Sequence, residues 1–541
     1  MFGAGGGTSS YREAEETEFI LLWGSNAREA HPIYFHHVLK GVRNGARLAV
    51  VDPRHTVSAQ WADTWLGLEV GSDIALANAM GREILGAGLE NREFIARATE
   101  GFDAYRAGVE KYTLEYAEKE TGVPAAAIRD VAHAYAKAKT AQLCWTLGIT
   151  EHHNAVDNVF ALINLSLLTG HVGRWGSGVC PLRGQNNVQG GGDMGALPNK
   201  LPGGQDVDDP ALRAKFERAW GATIPPMKGL HLSQMFEAME HGQFKALFVL
   251  GENPVQSEAD QGRAVQLLGG LDHVVVQDMF LTKTAEIAHV VLPAAASWCE
   301  DEGTVTSSER RVQRIRKALE PPGAARPDRT ILCDLARRFG SDWGSPTAEQ
   351  VWDELRALSP WHGGMSYRRL EELDGLQWPC PDESHPGSPF LHGRLWQDPV
   401  EGPRAPFNAV EHDPPVDRLS EEFPIRLTTG RRLDSYNTGV QTGGYTSPLR
   451  RGESLDIAPE DGARLGVGDG ELVRAVSRRG AIEVPARYDA TLRPGLAFMT
   501  LHFQDDVATN ILTIDAIDPK SGTAEFKASA IRIEKRPAAS P

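Results

Sequence analysis

The chain has 541 residues, too many for one core and enough for three or four domains of ~150 residues each. Hydrophobic residues make up 41% and charged residues 24%, a globular composition, and 72 acidic side chains against 56 Lys and Arg leave a formal charge of −16. That balance argues against a general binder of nucleic acid or anionic membranes, which recruit basic patches, while leaving room for a local anion site inside a cleft. No apolar run reaches the ~20 residues of a membrane span. The opening MFGAGGGTSSYREAEE has neither a basic n-region nor an apolar h-region, so it does not read as a secretory signal. The five cysteines, Cys144, Cys180, Cys299, Cys333 and Cys380, are scattered and form no CxxC pair. They fit buried thiols in a reducing cytoplasm rather than a disulfide framework, and they offer no sequence-local set for zinc or an iron–sulfur cluster.

The first fourteen or so residues are rich in Gly and Ser and carry little periodicity. EFILLWGSN (18–26) then reads as a buried strand, Ile33 to Val42 as a helix, and RLAVVDPR (47–54) as a second strand. Strand, helix, strand is the pattern of a parallel, doubly wound sheet. Helices over Ile74–Ala87 and Pro124–Ala138, a strand over AQLCWTLGI (141–149) and a helix over Asp157–Leu168 continue it. Residues 171–204 are too rich in Gly and Asn for helix or strand interior, so they read as a functional loop or an interdomain crossing. A second α/β unit follows, with ALFVLGENP (246–254), the helical Asp260–Leu268, HVVVQDMF (273–280) and HVVLPA (289–294). Residues 379–415, rich in Pro, Gly, His and Asp, read as a linker. Beyond them IRLTTGR (425–431), ELVRAVS (471–477), AIEVPARY (481–488) and GLAFMTLHF (495–503) are short strands. Arg478-Arg479-Gly480 reads as a hairpin connection, and the set as a compact C-terminal β-barrel.

In open α/β sheets ligands sit beyond the carboxyl ends of the strands, where backbone amides suit phosphates. Gly24-Ser25-Asn26, Asp52-Pro53-Arg54, Gly148 with Thr150 and Glu151, Gly251-Glu252-Asn253-Pro254 and Gln277-Asp278 all occupy such positions. None is GxGxxG, so the standard dinucleotide fingerprint is absent. A turn glycine with a capping polar residue explains any one of these loops. Five together point to a large, multiply phosphorylated ligand.

The run PLRGQNNVQGGGDMGALP (181–198) resembles bacterial formate dehydrogenase catalytic subunits, within the wider molybdopterin oxidoreductase family. The resemblance continues in order through WGSNAREAHP (23–32), VDPRHTVSAQWAD (51–63), GSDIALANAMG (71–81), GENPVQSEAD (251–260), QDMFLTKTAEIAHVVLP (277–293), TTGRRLDSYNTG (428–439) and FKASAIRIE (526–534). It implies an α/β fold with two doubly wound, Rossmann-like units, residues 1–185 and 186–390, and a β-barrel of the molybdopterin dinucleotide-binding type, residues 391–541. It further implies two pyranopterin guanine dinucleotides holding one molybdenum or tungsten. Carried over by position, Gly24, Asn26, Glu29, Asp52, Arg54, Gly71 and Asp73 serve one dinucleotide, and Gly148 and Glu151 line the same cleft. Gly251, Glu252, Gln277, Asp278 and Asp328 serve the second, Gly184 and Gln185 belong to the same set, and Thr429, Arg431, Tyr436, Asn510 and Lys527 cap the pterins from the barrel.

Arg183 is the candidate catalytic residue. Formate is a small anion whose carboxylate a planar guanidinium holds bidentately, leaving the C–H for the metal; the structural alternative is that Arg183 neutralises a phosphate or an interdomain carboxylate. Cys180 stands where the family often has Asn and reads as a small buried residue. His36-His37 and His152-His153 read as surface or packing residues, since adjacent side chains point apart on most backbones.

The resemblance also implies parts this sequence does not contain: a Cys-rich [4Fe–4S] domain and a Cys or selenocysteine metal ligand followed by His. No metal ligand is assigned here. The segment Glu300–Arg316 (within 300–328) is expected to pack on that cluster domain and to expose Val305, Val312 and Ile315 in this chain. Met1 is expected to correspond to an internal residue of a longer enzyme, because a selenocysteine codon otherwise reads as stop; a shortened or split gene is the alternative. The expected function is a cytoplasmic formate dehydrogenase catalytic subunit with formate as substrate, passing electrons to iron–sulfur and flavin/NAD-type partner subunits. A shortened, non-catalytic pterin-binding protein and a related enzyme such as a nitrate reductase are the alternatives.

Overall fold

The computed structural model describes residues 1–3, 5–438 and 452–535. The strand Phe19–Trp23 is buried at all five positions, which requires cover on both faces of its sheet. It lies at the centre of a five-stranded sheet ordered Thr64–Leu66, Arg47–Val51, Phe19–Trp23, Ala141–Trp145, Gly178–Pro181, all parallel. Ile20 and Leu22 pack with Tyr34, Phe35 and Val38 of the helix Pro32–Arg43. On the opposite face Leu21 and Trp23 join a larger core with the helices Asp73–Gly86, Ala125–Lys137 and Ala155–Thr169. The chain leaves Phe19–Trp23 toward Arg47–Val51 on one side and returns to Ala141–Trp145 on the other. That reversal opens a crevice at the strands' carboxyl ends.

Residues 171–204 depart from the loop expectation. They contain the edge strand Gly178–Pro181 and the short helix Val188–Asp193. Glycine fits the strand because the N-terminal segment crosses it closely: Thr8 N–H donates to Val179 O at 3.0 Å, and Val179 N–H to Thr8 Oγ1 at 2.9 Å. A Cβ on Gly178 would lie 2.0 Å from Ser9 Oγ.

The second α/β unit has three parallel strands in the order Val290–Pro293, His273–Asp278, Ala246–Leu250, with the helices Leu232–Glu240 and Gln261–Gly269 in its core. The hairpin Gly303–Thr306 with Arg311–Ile315 corrects a second expectation. Its second strand, Arg311–Ile315, also pairs with Leu376–Gln377 of the same chain, and Val312 is fully buried with Tyr367, Leu370 and Trp378, not exposed. Val305 and Ile315 are half-buried. Residues 379–415 are not a free linker either. Ala405–Pro406 pairs with Thr99–Glu100, Trp396 Nε1 donates to Val172 O at 2.6 Å, and the Phe407 ring stacks 4.9 Å from Tyr105. Their aromatic side chains bury against the first unit, which composition alone did not show.

The C-terminal strands close a six-stranded barrel in the order Ile425–Thr429, Leu496–Met499, Leu455–Ile457, Ala481–Tyr488, Leu472–Ser477, Ser529–Lys535. Val476 pairs with Ala481 across Arg478-Arg479-Gly480, so the hairpin expectation holds. No helix among the described residues is long and apolar enough to cross a membrane.

Candidate functional site

A cleft of about 650 Å³ opens where the two α/β units and the barrel meet. The first unit contributes Gly24, Asn26, Asp52, Arg54, Gly71, Asp73, Gly148, Glu151 and Gly184 to its wall, the second Gly251, Glu252, Gln277, Asp278 and Asp328, and the barrel Thr429, Arg431, Tyr436 and Lys527. These residues span more than 500 positions of sequence, and most sit at strand ends, in the loops that follow or at the first turn of a helix, as Asp73 and Asp328 do. Its floor is a close approach between two of those ends. Gly24 takes φ +57°, and Gly148 N–H donates to Gly24 O at 3.2 Å. A Cβ on Gly148 would lie 2.6 Å from that oxygen, so Gly148→Ala is expected to spread the strand ends and destabilise the fold by about 1–3 kcal/mol. Thermal unfolding together with the retained cofactor content measures it; wild-type values for both would show that the approach has slack.

The wall carries both signs of charge. Burial pushes Asp52 up to about 6, against the pull of Arg54 and Lys527, and Asp73 nearby adds to the rise. Asp73 is raised by burial and steadied by Trp23 Nε1, which donates to it at 2.8 Å. In the second unit burial raises Asp278, which accepts Phe280 N–H at 3.0 Å, and Asp328 accepts from Gln277 Nε2 at 2.6 Å and Ser297 Oγ at 3.2 Å. Arg54 lies 3.6 Å from the Phe498 ring centre and Arg431 4.8 Å from that of Tyr436. Lys527 pairs with Glu151 at 2.6 Å and donates to Thr429 O at 3.1 Å, tying barrel to first unit.

Four expected residues lie off the wall. Glu29 accepts from Asn26 Nδ2 and so orients a wall residue rather than forming one. Asn510 is fully buried and donates to Gln256 O and Ser257 O, anchoring the second unit to the barrel. Gln185 is half-buried, its carbonyl accepting Val188 N–H at 3.4 Å. Arg183 stands between the wall residues Leu182 and Gly184; its backbone N–H donates to Ser308 Oγ at 2.8 Å, and its Nη2 donates to Gly5 O at 2.7 Å. Cys180 is buried beside Cys144 and Tyr34, as the small-residue reading expects.

Sequence reading missed His31 and Trp298, both on the wall. His31 lies inside a quoted motif, but one histidine in a loop gives no pattern to single it out. Burial, with Arg431 adding to it, pushes it down to about 4 against the opposing pull of the Arg183 and Leu182 backbone, so it is neutral. The histidine pair at 152–153 is a correction of a different kind. Both rings reach one carboxylate, Glu525, at 3.2 Å.

A ligand that fits this cleft must satisfy the carboxylates and the cations that share its wall. It must also satisfy Gln277 Oε1, a wall atom buried without a partner. Guanine amide N–H groups and ribose hydroxyls suit the first, phosphates the second, and pterin heteroatoms the third. Residues 4–338 match the molybdopterin oxidoreductase family and residues 425–530 the molydopterin dinucleotide binding domain.

The chain belongs to the molybdopterin oxidoreductase family.

Among relatives of this molybdopterin oxidoreductase, the F420-dependent formate dehydrogenase 2 subunit alpha of Methanococcus maripaludis is 42% identical over 545 residues, covering 99% of this chain and 79% of the relative. Formate dehydrogenase H of Escherichia coli is 38% identical over 538 residues, 98% of this chain and 75% of the relative. The solved acetylene hydratase of Pelobacter acetylenicus superposes with a TM-score of 0.74 over 98% of this chain and 79% of that one, at 19% identity, which establishes the shared fold. Among the described residues no group of three or more His, Cys, Asp or Glu side chains is arranged to hold a metal ion.

Proposed function

We propose that this molybdopterin oxidoreductase is the cofactor-binding body of a formate dehydrogenase catalytic subunit, working in the cytoplasm and passing electrons to partner redox subunits. The carrying observation is the cleft itself: carboxylates from both α/β units, Asp52 and Asp73 from one and Asp278 and Asp328 from the other, line one wall together with Arg54, Arg431 and Lys527. A carboxylate set in each unit supports two guanine dinucleotides, which these residues would hold. The relatives' identities support formate as the substrate.

When bound, the metal–pterin group supplies the two-electron acceptor for HCOO⁻ → CO₂ + H⁺ + 2e⁻. The chain's own residues do the rest. Asp52 and Asp73 hold the polar edge of one dinucleotide; Asp278 and Asp328 hold the other. Arg54 and Lys527 balance phosphate charge, and His31 meets the pterin as a neutral ring. Arg183 takes the formate carboxylate on its guanidinium edge, fixing the C–H direction.

Metal analysis of the purified protein is expected to give about one molybdenum or tungsten per chain, with about two guanine nucleotides released by acid hydrolysis. Zinc, or no metal together with no released GMP, would sink the cofactor assignment. The nucleotides without formate turnover would leave a pterin-binding protein that does not catalyse.

A further inference from the structure

Behind Arg183 runs a row of buried side chains that none of the cofactor chemistry uses. Arg183 Nε donates to Gln189 Oε1 at 3.1 Å, Gln189 Nε2 donates to Asp193 Oδ1 at 2.9 Å, and Trp378 Nε1 donates to Asp193 Oδ2 at 2.7 Å. Gln189 and Asp193 are 5% and 3% exposed and Trp378 is fully buried. The two belong to the short helix Val188–Asp193, and their i,i+4 spacing puts both on one face. The glycines between them let that helix lie close against the hairpin: a Cβ on Gly190 would be 2.0 Å from Asn187 Oδ1 and 3.1 Å from Thr306 Oγ1.

The polarity of the row is fixed at both ends. Indole Nε1 and guanidinium Nε can only donate. The group between them must therefore accept twice, as a carboxylate does, and the Gln189 amide has one allowed orientation, oxygen toward Arg183 and nitrogen toward Asp193. Burial brings Asp193 up to about 6, still leaving it ionised near neutrality. Trp378 is held in turn by Arg310, fully buried, which lies 5.4 Å from its ring centre and donates to Gly7 O, Ser388 O and Pro389 O. With Nε committed to Gln189 and one Nη2 hydrogen to Gly5 O, the outer edge, Nη1 and the remaining Nη2 hydrogen, has no acceptor among the described residues.

We propose that Gln189 and Asp193 are positioning residues for the formate site, holding Arg183 by Nε so that its outer guanidinium edge stays presented to the substrate carboxylate. This rests on the reading of Arg183 as the residue that binds formate. The row acts through Arg183 and touches neither substrate nor cofactor.

The polarity argument supplies the test, in the metal-loaded enzyme. Asp193→Asn sets a donor against a donor whichever way Gln189 turns, and Gln189→Glu sets two carboxylates together. The double variant Gln189→Glu with Asp193→Asn restores the row. The new amide's oxygen accepts from Trp378, its nitrogen donates to the new carboxylate, and that carboxylate accepts from Arg183. Each single variant is expected to raise the formate KM by about tenfold while kcat per bound metal changes less. The double variant returns KM to within about threefold of wild type, a non-additivity that independent effects of the two side chains would not produce. Nitrate, a planar oxyanion offering the same two-oxygen edge, gives a readout without turnover: its calorimetric Kd should move in parallel. Gln189→Met, which keeps volume and removes the acceptor, carries the same expectation should Asp193→Asn fail to fold. Arg183→Lys separates the two levels. If it raises KM and nitrate Kd while the single variants stay within about twofold, or the double variant is no better than the worse single one, the positioning role is overturned and the formate reading stands. If Arg183→Lys leaves both constants unchanged, the reading of Arg183 falls, and the row with it.

Discussion

Arg183→Lys in the metal-loaded enzyme is expected to lower kcat/KM for formate by about a hundredfold, with metal and guanine nucleotide content unchanged. Lysine keeps one positive charge at roughly the same place but loses the planar fork, so only a function that depends on geometry responds this strongly. The surroundings make the substitution informative. Nε is held by Gln189 and Nη2 by the Gly5 carbonyl, so the guanidinium cannot swing, whereas an ammonium on a flexible stem would satisfy one of these acceptors and abandon the substrate. Burial already lowers the Arg183 pKa from its ordinary value, with Asp193 opposing the drop. Steady-state kinetics with metal analysis on the same samples decides the matter. Kinetics equal to wild type would leave Arg183 with the task of fastening Gly5 and nothing more.

Glu525→Gln is expected to cost about 3 kcal/mol of stability at pH 5–6, because it breaks a buried charge cluster joining the barrel to the first α/β unit. Glu525 is fully buried and accepts from His152 Nδ1 and His153 Nδ1 at 3.2 Å each, while His153 Nε2 meets Asp413 at 3.1 Å. Burial alone would raise Glu525, but the two histidine hydrogen bonds and charges outweigh it and hold the carboxyl at about 2. A carboxylate depressed in this way contributes fully above its unfolded value, and the contribution is lost as pH falls through about 2. His153 has the opposite sign. Burial lowers it, but Glu525 and Asp413 together raise it above the ordinary histidine value of about 6.5, so its contribution is complete below that value and is lost as pH rises through the folded value. The gap between wild type and variant should therefore be widest between about pH 4.5 and 6.5 and shrink on both sides. Denaturant unfolding across pH 2–8 measures it. A gap that is flat with pH would mean that Glu525 acts by packing alone.

The chain's periodicities fixed most of the scaffold. FILLW, RLAVV and AQLCW are buried at nearly every position and so had to be central strands of a covered sheet, and the period-2 runs after residue 424 had to be a smaller β unit. The loops following those strands were legible as ligand-facing, because strand ends in such sheets have one geometric fate, and 18 of the 22 residues singled out do line one cleft. Glu29, Arg183, Gln185 and Asn510 lie off that wall because position along the chain identifies a loop but not the direction a side chain takes from it. Only the tertiary structure decided the contacts between distant segments. Val312 is buried because Leu376–Gln377, some sixty residues on, supplies its strand partner. The stretch after Pro379 packs because Trp396 and Phe407 find the first unit's core. His152 and His153 converge because Glu525 arrives from the barrel with two carboxylate oxygens, one for each ring. Local sequence determines which residues must be buried or turned. Which distant groups meet once they are buried is settled by how the two α/β units and the barrel close on one another, and the row behind Arg183, whose partner Trp378 lies 185 residues beyond Asp193, exists only at that level.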